Sequence, residues 1–109
     1  MHDIEKVIDY QIEAYNSHDL NRFIACYSPQ AVIQWWGGGF TRGQEKIHDS
    51  YAELFAHRSC RAEVSGRLVT NGWVTDRETV YRIAPEPMHV IAAYRVADGL
   101  IEQVLFLGP

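Results

Sequence analysis

Between Asp3 and Asn16 the apolar residues Ile4, Val7, Ile8, Ile12 and Tyr15 recur three or four positions apart, with Asp9, Glu13 and Asn16 opposite them. That spacing puts the apolar side chains on one stripe of an α-helix and predicts an amphipathic helix there. Asn16-Ser17-His18-Asp19 then interrupts it with residues that favour caps and turns. Leu20, Phe23, Ile24 and Tyr27 resume the helical spacing up to Ser28-Pro29, where a helix should stop because the residue before proline is pushed out of helical backbone. Ala31 to Trp36 is β-branched and aromatic and predicts a short strand, ended by Gly37-Gly38-Gly39. Thr41 and Gln44 have capping-box spacing, and Ile47, Tyr51, Leu54 and Phe55 extend a third helix to about Arg58.

From Arg61 onward the period changes to two. Asn71-Gly72, Pro85-Glu86-Pro87 and Asp98-Gly99 divide the segment into strands at about 62–70, 73–83, 88–97 and 100–107, an antiparallel meander with tight hairpins at the two Xaa-Gly turns. Helices first and hairpins afterwards predict an α+β fold. With 109 residues, 47% of them apolar, the chain fits one core and hence a single domain spanning 1–109. A formal net charge of -4 argues against a surface that tracks phosphates, so no nucleic acid is expected as a partner. Asp3, Glu5 and Lys6 stand where a secretory signal would be basic and then apolar, and no apolar run nears the roughly 20 residues of a membrane span. Cys26 and Cys60 are expected as reduced thiols, since a chain with this much core needs no staple, and the cytoplasm is the expected compartment.

Three stretches carry a resemblance. Ala14-Tyr15-Asn16-Ser17-His18-Asp19-Leu20 leading into Phe23 to Tyr27, Phe40-Thr41-Arg42-Gly43 before the third helix, and Asp98-Gly99-Leu100-Ile101 in the last hairpin together resemble the SnoaL-like branch of the nuclear-transport-factor-2-like superfamily. Val69 to Glu78 also resembles a hairpin of that branch. The resemblance implies a cone-shaped α+β barrel, a cystatin-like roll in which three N-terminal helices pack on a strongly bent antiparallel meander. It further implies a pocket on the concave face and, in many relatives, a homodimer through the outer sheet face. It does not imply one reaction, because the same cone holds isomerases, hydrolases, cyclases and non-catalytic binders.

The residues of two related enzymes do not carry over. Matched to ketosteroid isomerase, Trp35 falls at the base position, Gln11 at the tyrosine position and Ala92 at the second acid; tryptophan takes no proton from carbon and alanine donates none. Matched to limonene epoxide hydrolase through Thr75-Asp76-Arg77-Glu78-Thr79, Arg77 keeps the arginine, but Thr79 and Phe106 replace the two carboxylates.

Both alignments choose Trp73, Thr75, Arg77, Thr79 and Tyr81 as the inward side of their strand. An inward Arg77 would need an anion, an enolate-like oxygen or a carbonyl, because a guanidinium left unpaired in a dry cavity is costly; otherwise it pairs with a carboxylate of a neighbouring strand. Gln11 interrupts the apolar arc of the first helix, as an amide facing a cavity would, or as a buried amide satisfied by backbone. Tyr15 and Tyr51 sit on inward helical stripes, Trp35 is expected as a pocket wall and Trp36 as core or dimer contact, with Phe40 beside the glycine turn. Val90, Ala92, Val104 and Phe106 complete the ligand-facing set. His48 borders the Ile47 and Tyr51 stripe and could titrate near neutrality. His2, His18, His48, His57 and His89 show no metal-ligand spacing, so no metal and no cofactor are expected. Asp76 and Glu78 become base candidates if a one-residue slip turns their side inward.

The sequence thus predicts a protein that encloses a small, largely apolar molecule. It would be an isomerase, cyclase or hydrolase/lyase acting by metal-free proton transfer, with Arg77, Tyr81 and His48 as its chemical groups, or a non-catalytic binding or dimerisation module.

Overall fold

The computed structural model describes residues 3–108. Helix α1 (Ile4–Asn16) is capped by the Asp3 carboxylate, which accepts from the Glu5 and Lys6 amides, and α2 (Leu20–Ala25) by Asp19, which accepts from the Arg22 amide. The second helix is shorter than its spacing predicts. Tyr27 already belongs to strand β1 (Tyr27–Gln34), and Pro29 lies inside that strand, where the pairing with its neighbour shifts between Tyr27 and Val32 and a missing N–H is tolerated.

The glycine turn folds β1 back onto a three-residue strand β2 (Phe40–Arg42) that the sequence did not signal. Trp35 and Gly39 close this hairpin with a 2.8 Å backbone hydrogen bond, and Gly38, at φ +92°, occupies backbone that side chains avoid. The expected capping box does not form. Thr41 belongs to β2, the cap of α3 (Gln44–Ala56) is Gly43, and the Gln44 side chain instead donates to the Tyr27 carbonyl at 2.7 Å.

Strands β3 (Arg61–Thr70), β4 (Trp73–Tyr81), β5 (Met88–Ala97) and β6 (Leu100–Leu107) form the expected antiparallel meander, and the full sheet runs β2-β1-β6-β5-β4-β3. It is mixed, because β1 pairs parallel to β6. Helix α3 carries the chain from the β1–β2 hairpin to the opposite edge, so the meander must work back and its last strand docks beside the first. The helices cover the concave face of this cone-shaped α+β fold, and the core between them includes Ile8, Phe23, Tyr27, Ile33, Ile47 and Val104. Cys26 and Cys60 are free and buried.

Asn16 ties the helical layer to the sheet. Its side-chain amide donates to the Ala62 carbonyl at 3.0 Å and accepts from the Ala62 amide at 2.8 Å, while the His18 ring meets the Cys60 carbonyl at 2.7 Å.

The inward side of β4 is the reverse of the one expected. Val74, Asp76, Glu78 and Val80 are buried, and Arg77 is exposed. Directly opposed residues of an antiparallel pair share a face. Val74, Asp76 and Glu78 stand opposite Tyr94, Ala92 and Val90, the buried side of β5. The alternation that decides the face of β4 is therefore written in β5, whereas β4 itself is polar on both sides. No tight turn between the two strands fixes their register, since residues 82–87 form a longer connection.

Candidate functional site

Between the helices and the concave face lies a cavity of about 160 Å³. Helix α1 contributes Gln11, Ile12 and Tyr15 to its wall, α3 contributes Ser50, Tyr51 and Leu54, and the sheet contributes Glu78, Val80, Val90, Tyr94 and Phe106. Trp35, Trp36, Ile83 and Met88 complete the rim, and Trp36 and Ile83 stay exposed there. The Trp35 and Phe106 rings stack 5.0 Å apart and present a flat aromatic wall. The backbone of Gly108 lies so close to the Trp36 indole that a Cβ there would collide with the ring.

The inward turn of β4 brings two carboxyl groups under the helices, and their surroundings differ. Asp76 is fully buried and takes a two-pronged contact from Arg67, Nε to Oδ1 at 2.6 Å and Nη2 to Oδ2 at 3.0 Å. Arg67 in turn reaches Asp9 at 2.8 Å on α1, which closes an ion-paired chain outside the cavity. Glu78, 4% exposed, accepts a 2.8 Å hydrogen bond from the Tyr94 hydroxyl. Burial pushes its carboxyl up to about 7; Tyr94 and Arg67 work against that shift and the Asp76 charge adds to it. Tyr15, Tyr27, Tyr51 and Tyr94 surround this group. Burial is the main reason all four phenols are harder to ionise, and the Glu78 charge adds to it in each. The phenols are therefore hydrogen-bond donors near neutral pH, and Glu78 is the group that can take or give a proton.

Gln11 is 5% exposed and donates from Nε2 to the Tyr27 hydroxyl at 3.0 Å. Its Oε1 is the one buried side-chain polar atom without a partner among the described residues.

Six residues predicted to face a ligand line the cavity: Gln11, Tyr15, Trp35, Tyr51, Val90 and Phe106. Ala92 and Val104 are fully buried but belong to the core and do not line the cavity. The structure contradicts the placement of the others. Arg77 lies on the outer face with its guanidinium on Ser65, Nε to Oγ at 3.0 Å and Nη2 to the carbonyl at 3.2 Å. Thr79 meets His89 at 3.1 Å and Tyr81 donates to Glu63 at 3.3 Å, both outside. Phe40 is 64% exposed and flanks an open groove over β1, β2 and β6. His48 points from α3 toward Asp49, Nδ1 to Oδ1 at 3.1 Å, and does not line the cavity. Trp36 joins Trp35 at the cavity because β1 ends at Gln34, so strand alternation no longer separates them.

Tyr94 escaped the sequence reading, Tyr27 entered it only as a helical position, and Glu78 only as a base candidate should its side of β4 turn inward. The signal that could have found Glu78 is the apolar alternation of β5, which places the Glu78 side of β4 inward. His2 lies outside the described residues. Among the described residues no three His, Cys, Asp or Glu side chains converge as a metal would require, and no helix is long and apolar enough to cross a membrane.

This geometry, a curved sheet closed by helices over a cavity, defines a nuclear-transport-factor-2-like fold. The SnoaL-like domain family matches residues 8–104, and the chain belongs to that family. In structure it is similar to a nuclear-transport-factor-2-like protein of unknown function from Cytophaga hutchinsonii (TM-score 0.88, 10% identity, covering 100% of this chain and 92% of that one). An uncharacterised cystatin-fold protein from Novosphingobium aromaticivorans superposes with TM-score 0.85 at 22% identity, over 98% of this chain and 99% of the other. A candidate polyketide cyclase from Sinorhizobium meliloti gives TM-score 0.84 at 17% identity, over 98% and 100%. No curated protein matches the chain in sequence.

Proposed function

We propose that the cavity binds a small, largely apolar molecule and that Glu78 moves a proton on it, in an isomerisation of the keto–enol type. The observation that carries this reading is a buried carboxyl at the wall of an aromatic cavity, held by a phenol instead of a cation and titrating near neutrality. Burying such a group is destabilising, and a fold under no functional demand would place an apolar side chain there.

The chemistry needs one titrating group. The Glu78 carboxylate removes a proton from the carbon beside a carbonyl; the C–H electron pair becomes the enolate, whose oxygen accepts a hydrogen bond from a cavity phenol. Returning the same proton to that oxygen completes the keto–enol shift, with no water or cofactor consumed. Arg77, Tyr81 and His48 take no part, being outside the cavity. A homodimer through the outer sheet face would cover Arg77, Thr79 and Tyr81 and leave the cavity mouth at the other side of the sheet.

Proton exchange tests this directly. With cyclohexanone in heavy water, followed by NMR, the protein should accelerate deuterium entry beside the carbonyl with a rate that rises through about pH 7, where Glu78 ionises. Glu78→Gln should abolish the acceleration and Arg77→Ala should leave it intact. Acceleration that survives Glu78→Gln removes this assignment; binding without any exchange makes the protein a non-catalytic binder.

A further inference from the structure

The unpaired Gln11 oxygen and the size of the cavity narrow the guest further, an inference that rests on the cavity being the binding site proposed above. Gln11 is anchored through Nε2 on Tyr27, so its Oε1 is left as an acceptor with nothing to accept. A buried acceptor without a partner is destabilising, and no hydroxyl of the cavity wall that Gln11 shares reaches it. A guest that brings its own O–H satisfies it. The volume of about 160 Å³ is close to the roughly 150 Å³ of an apolar cavity that admits benzene and well below the roughly 300 Å³ at which drug-sized sites begin. The Trp35–Phe106 stack and Tyr51 add flat aromatic surface suited to a planar ring.

We propose that the natural guest is a single-ring molecule carrying a hydroxyl that donates to Gln11 Oε1. The volume favours a single ring over fused rings, and single rings without a donor lose the Gln11 contact.

Four probes separate these statements: phenol, toluene, anisole and 1-naphthol, titrated against the full chain with the Gln11 side-chain amide followed by NMR. Phenol should bind about tenfold more tightly than toluene or anisole, one hydrogen bond's worth, and more tightly than 1-naphthol. Gln11→Leu and the better-matched Gln11→Met should erase the preference for phenol over toluene while still binding toluene. Equal affinity for phenol and toluene, tighter binding of anisole or 1-naphthol, a phenol preference that survives both variants, or no binding of any probe each overturns the inference. Cyclohexanone exchange that persists while the hydroxyl preference is absent would sink this inference alone. A Gln11-dependent preference with no exchange would sink the proton-transfer reading alone.

Discussion

Tyr94 on β5 donates its hydroxyl to Glu78 on β4 at 2.8 Å, although the two are not cross-strand partners: Tyr94 stands opposite Val74 and Glu78 opposite Val90. Ala92 stands between Tyr94 and Val90 on that buried face of β5. Two residues before Glu78 on the same face, Asp76 is satisfied by Arg67. One strand therefore presents two carboxyl groups to the interior, one bound to a guanidinium and one free to exchange a proton, the kind of division by environment on which acid–base sites are built.

Stability should fall as the pH rises from about 4.5 to about 7. In that window the unfolded chain has already released the Glu78 proton that the folded chain still holds. Folding thus takes up a proton, and the loss is complete above the folded value. At about 1.4 kcal/mol per pH unit the penalty reaches about 3 kcal/mol. Glu78→Gln should flatten this slope and be the more stable protein at pH 8, read from urea unfolding at pH 5 and pH 8. An unchanged slope in the variant would place the proton elsewhere.

Arg67→Met should be among the most damaging single changes. It leaves Asp76, fully buried, without its cation, and breaking one side of a buried pair costs about 3–5 kcal/mol. Because Arg67 also helps keep Glu78 ionised, the rise of the cyclohexanone exchange rate should move to higher pH in any variant that still folds. Replacing Asp76 as well, by Leu, should restore most of the lost stability; a double variant as unstable as the single one would contradict the uncompensated charge as the cause.

Asn16→Ala should loosen the start of β3, where Ala62 joins the cavity wall, and leave the Glu78–Tyr94 pair in place. It removes two hydrogen bonds to Ala62 and leaves that residue's N–H and carbonyl without their partner, at about 1–3 kcal/mol. Hydrogen exchange at the Ala62 amide should quicken well beyond the change in global stability, while Tyr94 and Glu78 stay paired. Uniform quickening across the sheet would mean that Asn16 acts on the whole fold.

The sequence by itself determined the three helices, the four long strands and their hairpins, because the signals are local: a 3.6-residue stripe, a change to period two, and Asn71-Gly72 and Asp98-Gly99 at turns where Gly72, Asp98 and Gly99 take positive φ. It also singled out Gln11, Tyr15, Tyr51, Val90 and Phe106, whose positions follow from stripes and alternation within one element, and Trp35, although β1 ends one residue before it. Tertiary structure alone decided which side of β4 faces inward, since that strand carries polar residues on both sides and takes its face from β5 through pairing across a connection long enough to permit either register. The exchange of Arg77 for Glu78 at the cavity follows from that one choice. Tertiary structure alone also decided the parallel docking of β6 on β1, a contact between strands far apart in the chain that no local pattern encodes.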